Sequence, residues 1–222
     1  MAPWPLLWPF RTIGRGPGRG RSRGEVHPRT NVAVIGATGV GKSTLINAVV
    51  GSQQARSGIG APVTKGLWFY ETPDGRLGLY DFEGAESFTE LRHFVRNLAM
   101  IAEERAAEGP DHAIHGYWLC IKASDRRFDD QQLALLEELA QAHKPIWLIL
   151  TQTPWRPDLG FPPDLTEFFA HLASLRLPIV AMRPFPVAAI DDDFAGTARV
   201  GIDALVRSTR DFVPPRLPRR RR

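Results

Sequence analysis

The stretch 31–44, with the sequence NVAVIGATGVGKST, constrains the fold of this chain more than any other. It contains the full pattern G-x-x-x-x-G-K-[ST], between an apolar run that predicts a buried strand and an apolar period that predicts a helix. The glycines allow the backbone to curl around an anion, so that N–H groups and the positive end of the helix point at a phosphate. We therefore expect nucleotide phosphates to contact Gly36, Ala37, Thr38, Gly39, Val40, Gly41, Lys42, Ser43 and Thr44.

Two side chains of this phosphate loop carry chemistry. The Lys42 ammonium is expected to span the β- and γ-phosphates, which makes it a candidate catalytic residue. The Ser43 hydroxyl is a candidate ligand of Mg²⁺. A plain strand-turn-helix corner is the alternative, and the number of matched positions disfavours it.

Length and composition limit the class of protein. A chain of 222 residues is long enough for one sizeable α/β domain, and no apolar run approaches the length of a membrane-spanning helix. The single cysteine, Cys120, cannot form an internal disulfide. These features predict a cytoplasmic protein, with peripheral attachment to a membrane as an alternative.

Basic residues are concentrated near the two ends of the chain. The ends hold 11 of the 28 basic residues but one of the 24 acidic residues, which leaves 17 basic and 23 acidic residues in the body. We predict a disordered Pro/Gly/Arg-rich arm over 1–29, a domain over 30–213 and a basic tail over 214–222. Solvated arms are the favoured interpretation, and the alternative is contact with an anionic membrane surface or RNA.

The segment that follows the first helix predicts a mobile loop and then a hairpin. Within 52–66, Thr64 is a candidate to ligand Mg²⁺ and close on the γ-phosphate. Strands over Leu67–Glu71 and Leu77–Tyr80 are joined by the turn-forming sequence 72–75. So short a connection requires the second and third strands to be antiparallel.

The hairpin ends in a D-x-x-G sequence at 81–84. Asp81, at the end of a strand beside the phosphate loop, is expected to hold a water of the Mg²⁺ shell. Gly84 is expected to donate its N–H to the γ-phosphate, because no side chain blocks its approach.

The remaining pattern predicts alternating helices and strands. Ser87 and Glu90 form a capping box for a helix, and three further strands are predicted over His115–Ile121, Pro145–Leu150 and Ile179–Val187. A last helix is expected to begin near Thr197. Together these elements predict a three-layer α/β fold of the P-loop NTPase type, with a six-stranded, mostly parallel sheet and one antiparallel strand pair.

These motifs make residues 30–213 resemble the GTPase domain of the translation-factor-related class, with greatest similarity to the Era-like bacterial GTPases. The resemblance implies GTP and GDP as ligands, Mg²⁺ as cofactor, and an effector or activating protein as partner. It also implies that Thr64 belongs to the first switch and that Asp81 and Gly84 begin the second. The residues implied at the nucleotide base are Thr151, Gln152, Ala188 and Ala189.

The chain departs from the base-reading sequence of that family, Asn/Thr-Lys-x-Asp. Thr151 fits the first position, Gln152 replaces the lysine, and Pro154 stands where the family has a carboxylate. Discrimination against adenine is therefore in question. Asp158 or the acids 191–193 are possible substitutes, although solvated loop charges are the favoured interpretation.

A second departure concerns hydrolysis. Ala85 occupies the position of the glutamine that orients water in some members. Hydrolysis would then depend on Glu86, on a backbone group of a switch, on a cation, or on an arginine finger, supplied by a partner or by Arg56 of this chain. We expect a GTP-binding switch that hydrolyses GTP slowly to GDP. The alternatives are a nucleotide-binding scaffold without hydrolysis and an ATP-specific P-loop NTPase.

Overall fold

The computed structural model describes residues 29–51, 61–64, 66–82 and 87–212, and the predicted arms lie outside these ranges except for Arg29. The described residues form seven strands and five α-helices. The strands are β1 Thr30–Ile35, β2 Ala61–Thr64, β3 Leu67–Glu71, β4 Leu77–Phe82, β5 Gly116–Lys122, β6 Ile146–Thr151 and β7 Phe185–Pro186. The helices are α1 Lys42–Val50, α2 Phe88–Glu108, α3 Asp130–Ala140, α4 Pro163–Ser174 and α5 Ile202–Asp211.

All strands join one sheet in the order β2-β3-β4-β1-β5-β6-β7. The predicted hairpin is confirmed, because β3 and β4 pair antiparallel, whereas β4, β1, β5, β6 and β7 pair in parallel. One strand was not predicted: β2, in the segment expected to be a mobile loop, pairs antiparallel with β3 at the edge of the sheet. The predicted three-layer P-loop fold class is confirmed with this added edge strand.

Alternate residues of β1 contribute to two separate apolar cores. Ala33 and Ile35 pack with residues of α2, α3 and α4, and Val32 and Val34 pack with residues of α1 and α5. The sheet is therefore covered on both faces. This explains why its central strands are near-continuous apolar runs without alternation.

The local signals at α2 are confirmed. The side chain of Ser87 accepts a hydrogen bond from the Glu90 N–H, and the Glu90 carboxylate accepts one from the Ser87 N–H. The buried face of α2 consists of the four residues expected from the apolar period, Leu91, Val95, Leu98 and Ala102. None of the helices among the described residues is long and apolar enough to cross a membrane.

Two predictions near the end of the chain were wrong. The strand expected over Ile179–Val187 is reduced to β7, because 180–182 form a 3-10 turn and prolines interrupt the run. The last helix begins at Ile202 and not near Thr197. Residues 188–200 instead form a loop closed by backbone pairing of Ala188 with Val200.

Two buried hydroxyl groups fasten α5 to the sheet. The Trp118 indole N–H donates to Thr209 Oγ1 at 3.0 Å, and the Trp147 indole N–H donates to Ser208 Oγ at 2.9 Å. Both indoles are fully buried, so each needs a hydrogen-bond acceptor inside the core. The last helix thus supplies polar atoms that the sheet requires.

Both ends of the described domain lie at the same edge of the sheet. Arg29, before β1, forms an ion pair with Glu71 at the end of β3. Arg210, near the end of α5, donates to Asp74 in the β3–β4 turn at 2.9 Å. This edge is opposite the phosphate loop, which follows the carboxyl end of β1.

Candidate nucleotide-binding site

The phosphate loop has the left-handed backbone angles that its glycines allow. The φ angles of Gly39 and Gly41 are 81° and 96°. A Cβ at Gly36 would lie 2.6 Å from the carbonyl oxygen of Cys120, which leaves no room for a side chain there. No side chain caps the start of α1. Its first N–H groups are therefore available to an anion.

The Lys42 ammonium is held by backbone carbonyl groups of the phosphate loop. Its ammonium donates to the carbonyl oxygens of Gly36 at 2.8 Å and Ala37 at 3.0 Å, and the residue is only 8% exposed. Burial lowers the pKa of Lys42, and the nearby charge of Asp81 opposes that shift. If a phosphate binds here, the Lys42 ammonium exchanges two neutral carbonyl acceptors for a charged phosphate oxygen, which accepts a stronger hydrogen bond.

Asp81 lies on the strand next to β1, where it pairs with Val34 in the sheet register. Its Oδ1 atom is buried and has no hydrogen-bond partner among the described residues. Burial raises its pKa to about 6, although Lys42 and a backbone N–H act in the opposite direction.

The arrangement fits a magnesium ion. A carboxylate oxygen buried without a partner is suited to accept hydrogen bonds from metal-bound water, which Mg²⁺ retains when it binds proteins. Ser43, in the first turn of α1, adds a hydroxyl oxygen on the adjoining element. Hard oxygen donors of this kind are the ligands that Mg²⁺ prefers.

The structure does not bring every predicted residue to this point. Thr64 pairs with Leu67, and Leu67 pairs with Phe82, so the Thr64 backbone is two strands from β4, or roughly 10 Å. The predicted residues Gly84 and Glu86, together with Ala85 and Arg56, lie outside the described residues.

The loop after β6 is attached directly to the phosphate loop. The Thr151 hydroxyl contacts the Val40 carbonyl oxygen and lies 3.1 Å from that of Ile121. The Gln152 amide nitrogen donates to the Gly39 carbonyl oxygen at 3.0 Å. Sequence reasoning missed this second contact, and the position of Gln152 directly after a parallel strand is the signal that could have indicated it.

Ala188 and Ala189 begin the loop that follows β7. The Ala188 N–H donates to the Val200 carbonyl oxygen at 3.1 Å, and the Val200 N–H donates back at the same distance. The neighbouring residue Val187 accepts a hydrogen bond from the Thr153 N–H at 3.1 Å. This bond holds Ala188 close to the end of β6. The two alanines consequently border the same side of the site as the β6 loop.

The acids considered as base acceptors serve their own loops. Asp158 pairs with Arg156 at 3.2 Å. Asp191 accepts the Arg199 N–H at 2.7 Å, and Asp192 accepts the Ala195 N–H at 3.0 Å.

Comparison with known proteins identifies the family. Residues 31–152, more than half of the chain, match the family model described as 50S ribosome-binding GTPase. The chain belongs to this GTPase family.

Curated relatives of this chain confirm the resemblance to Era. GTPase Era of Xanthomonas axonopodis pv. citri is 29% identical over 190 residues, which cover 85% of this chain and 56% of that protein. GTPase Era of Lacticaseibacillus paracasei is 24% identical over 185 residues, covering 82% and 54%. The chain thus spans about half the length of the curated relatives it matches.

Solved structures share the fold of this GTPase. A probable GTP-binding protein engB superposes with a TM-score of 0.54 at 17% identity, over 81% of this chain and 96% of that one. A variant of Era from Aquifex aeolicus, solved with GDP and AlF4⁻, gives a TM-score of 0.53 at 17% identity, over 85% and 58%.

Proposed function

We propose that this protein binds GTP together with Mg²⁺ and hydrolyses GTP slowly to GDP, as a molecular switch in the cytoplasm. The observation that carries the proposal is the proximity of two opposite charges at the carboxyl ends of β1 and β4. Lys42 supplies a cation beside the phosphate loop, and Asp81 supplies a carboxylate oxygen without a partner. Membership of the GTPase family supports GTP as the nucleotide.

Each residue of the site has a role in this proposal. The N–H groups of 36–44 hold the β-phosphate, and Lys42 stabilises charge that develops on the β- and γ-phosphate oxygens. Ser43 and Thr64 offer hydroxyl ligands to the metal, and Asp81 accepts hydrogen bonds from its water. Bound magnesium supplies neutralisation of phosphate charge.

The remaining predicted residues complete the site. Gly84 donates its N–H to the γ-phosphate, and Glu86 helps to orient water. Thr151, Gln152 and the two alanines Ala188 and Ala189 border the base.

Thr64 must approach from the edge strand when nucleotide binds. Its position two strands from β4 supports a switch in which β2 or its end rearranges.

Two features of the sequence suggest partners: the alanine at position 85 and the arginine-rich ends of the chain. With Ala85 beside the D-x-x-G sequence, an activating protein is expected to supply a water-orienting or charged group. The arginines of 1–28 and 214–222 are the groups that would contact RNA or an anionic membrane surface, the alternative to arms that are only solvated.

Replacement of the phosphate-loop lysine tests the proposal. We expect Lys42→Ala to abolish binding of Mg·GTP in calorimetry, because the loop then offers the phosphates no cation. Lys144→Ala is the matched control, since Lys144 binds the Ile114 carbonyl oxygen at 2.6 Å, away from the phosphate loop. Nucleotide binding by the Lys42 variant equal to that of the control would count against the assignment.

Hydrolysis is measured separately from binding. Phosphate release in a single turnover distinguishes the proposed enzyme from a scaffold that holds nucleotide unchanged. Phosphate release by the unsubstituted protein, and none by the Lys42→Ala variant, would support the proposed enzyme.

A further inference from the structure

The loop after β6 adjoins the phosphate loop and so borders the space beside a nucleotide held there. A ligand held by the phosphate loop extends along the carboxyl edge of the parallel strands. On the side of β6 this edge is bordered by 151–154 and by Ala188 and Ala189. Gln152 and Thr151 bind the carbonyl oxygens of Gly39 and Val40, so this loop adjoins the phosphate loop directly.

The polar side chains of 151–154 are engaged by the backbone except for one neutral acceptor. The Thr151 hydroxyl lies between two carbonyl oxygens, and the Gln152 amide nitrogen donates to Gly39, which leaves the uncharged amide oxygen of Gln152 as an acceptor. Thr153 is fully buried, and its hydroxyl donates to the Leu150 carbonyl oxygen at 2.6 Å. Pro154 has neither a polar side chain nor an N–H.

Guanine and adenine differ in the groups at their hydrogen-bonding edge. Guanine presents N1–H and an N2 amine, both donors, and a carboxylate is the acceptor best suited to take both. The two alanines offer no such acceptor. The acids in the nearby loops bind Arg156 or backbone N–H groups of their own loop: Asp158, Asp191 and Asp192.

Asp193 is exposed and lies in the part of its loop between the backbone-paired residues Asp192 and Thr197. Among the described acids of the loops that follow β6 and β7, Asp158, Asp191 and Asp192 are each engaged within their own loop, and none of these acids directly follows a strand.

We infer that this site holds purine nucleoside triphosphates mainly through their phosphates and discriminates only weakly between guanine and adenine, with Pro154 at the position that decides this. The inference rests on the proposed function, because it concerns the same phosphate loop. It adds that ATP competes with GTP for the site.

The first test uses the full chain without substitution. Calorimetric titrations with Mg·GTP and Mg·ATP are expected to give Kd values within about tenfold of each other, since a charged hydrogen bond is worth about ten- to hundredfold in affinity. A preference for GTP above about tenfold would overturn the inference and leave the proposed function standing. Absence of binding of either nucleotide to the folded chain would overturn both.

The second test restores the carboxylate. We expect Pro154→Asp to favour GTP over ATP by a further ten- to hundredfold, roughly the value of one charged hydrogen bond. Pro154→Ala is the matched control, because it removes the same ring without adding an acceptor, and it should keep the unsubstituted ratio.

The control also corrects for effects on folding. Circular dichroism of both variants checks that the domain is intact, and the ratio of the two Kd values is independent of the active fraction. An Asp variant with the same ratio as the Ala variant would overturn the assignment of position 154.

Discussion

Single side chains at the site are placed for a ligand at some cost to the nucleotide-free fold. Asp81 is buried with one oxygen unsatisfied, and burial raises its pKa to about 6 from an ordinary value of 3.8. Lys42 is buried beside it. Buried groups of this kind mark functional sites more often than structural ones. The energetic conflict is local and can be measured by substitution.

Asp81→Asn should stabilise the nucleotide-free domain. Ionisation of Asp81 costs up to about 3 kcal/mol in the folded state, a cost present above pH 6 and absent below about pH 4, where the carboxyl is protonated in both states. Denaturant titrations should therefore show a higher free energy of unfolding for the variant at pH 7.5 and no gain near pH 4. The same variant should lose the Mg²⁺-dependent part of its GTP affinity.

Asp74→Asn is a control in which the free energy of unfolding is expected to change in the opposite direction. Burial raises the pKa of Asp74, but the hydrogen bond from Thr72 and the charges of Arg210 and Arg76 outweigh that and lower it overall. This variant should lose stability at pH 7.5. A loss of stability on Asp81→Asn as well would contradict the account of the buried carboxylate.

At the scale of elements, local sequence signals predicted the structure well, whereas contacts between distant parts of the chain were not predicted. The capping box and apolar period of α2, and the turn between β3 and β4, act within a few residues, and each is found where expected. The Gln152–Gly39 contact joins residues 113 positions apart, and its one sequence signal is the place of Gln152 directly after a parallel strand. The backbone pairing of Ala188 with Val200 was also missed.

The residues of the candidate site likewise fall into those that the sequence predicted and those that it did not. The phosphate loop and Asp81 were predictable because a contiguous motif and a strand end fix their positions. The edge pairing of β2 depends on the conformation of β3 and not on its own sequence, and so Thr64 was expected in a loop. Ser208 and Thr209 were not expected in the core, because polar residues are usually exposed.

The attachment of α5 predicts a specific loss of stability. Thr209→Val keeps the shape of the side chain and leaves the buried Trp118 indole N–H without an acceptor. We expect the free energy of unfolding to fall by about 1–3 kcal/mol in denaturant titrations. Thr89→Val, at an exposed position of α2, is the control and should change little. Equal stability of the two variants would contradict the role of the indole bond.

At the scale of the whole molecule, the described domain has its nucleotide site at one end of the parallel strands and its first and last described residues, 29 and 212, toward the other. Removal of 1–28 or of 214–222 takes away five arginines in each case. We expect each truncation to weaken binding to a single-stranded RNA homopolymer and to reduce the slope of log K against log salt by up to about 3.5. Affinity for GTP should not change. Unaltered RNA and anionic-vesicle binding after both truncations would leave the arms as solvated segments.

The contacts of Arg29 and Arg210 with the β3–β4 hairpin have a mechanical consequence. Tension applied to the chain at residues 29 or 212 would load these contacts with the hairpin, about 20 Å along β1 from the phosphate loop. A domain held at those two residues would keep its nucleotide entrance facing away from the attachment, free for exchange with solution.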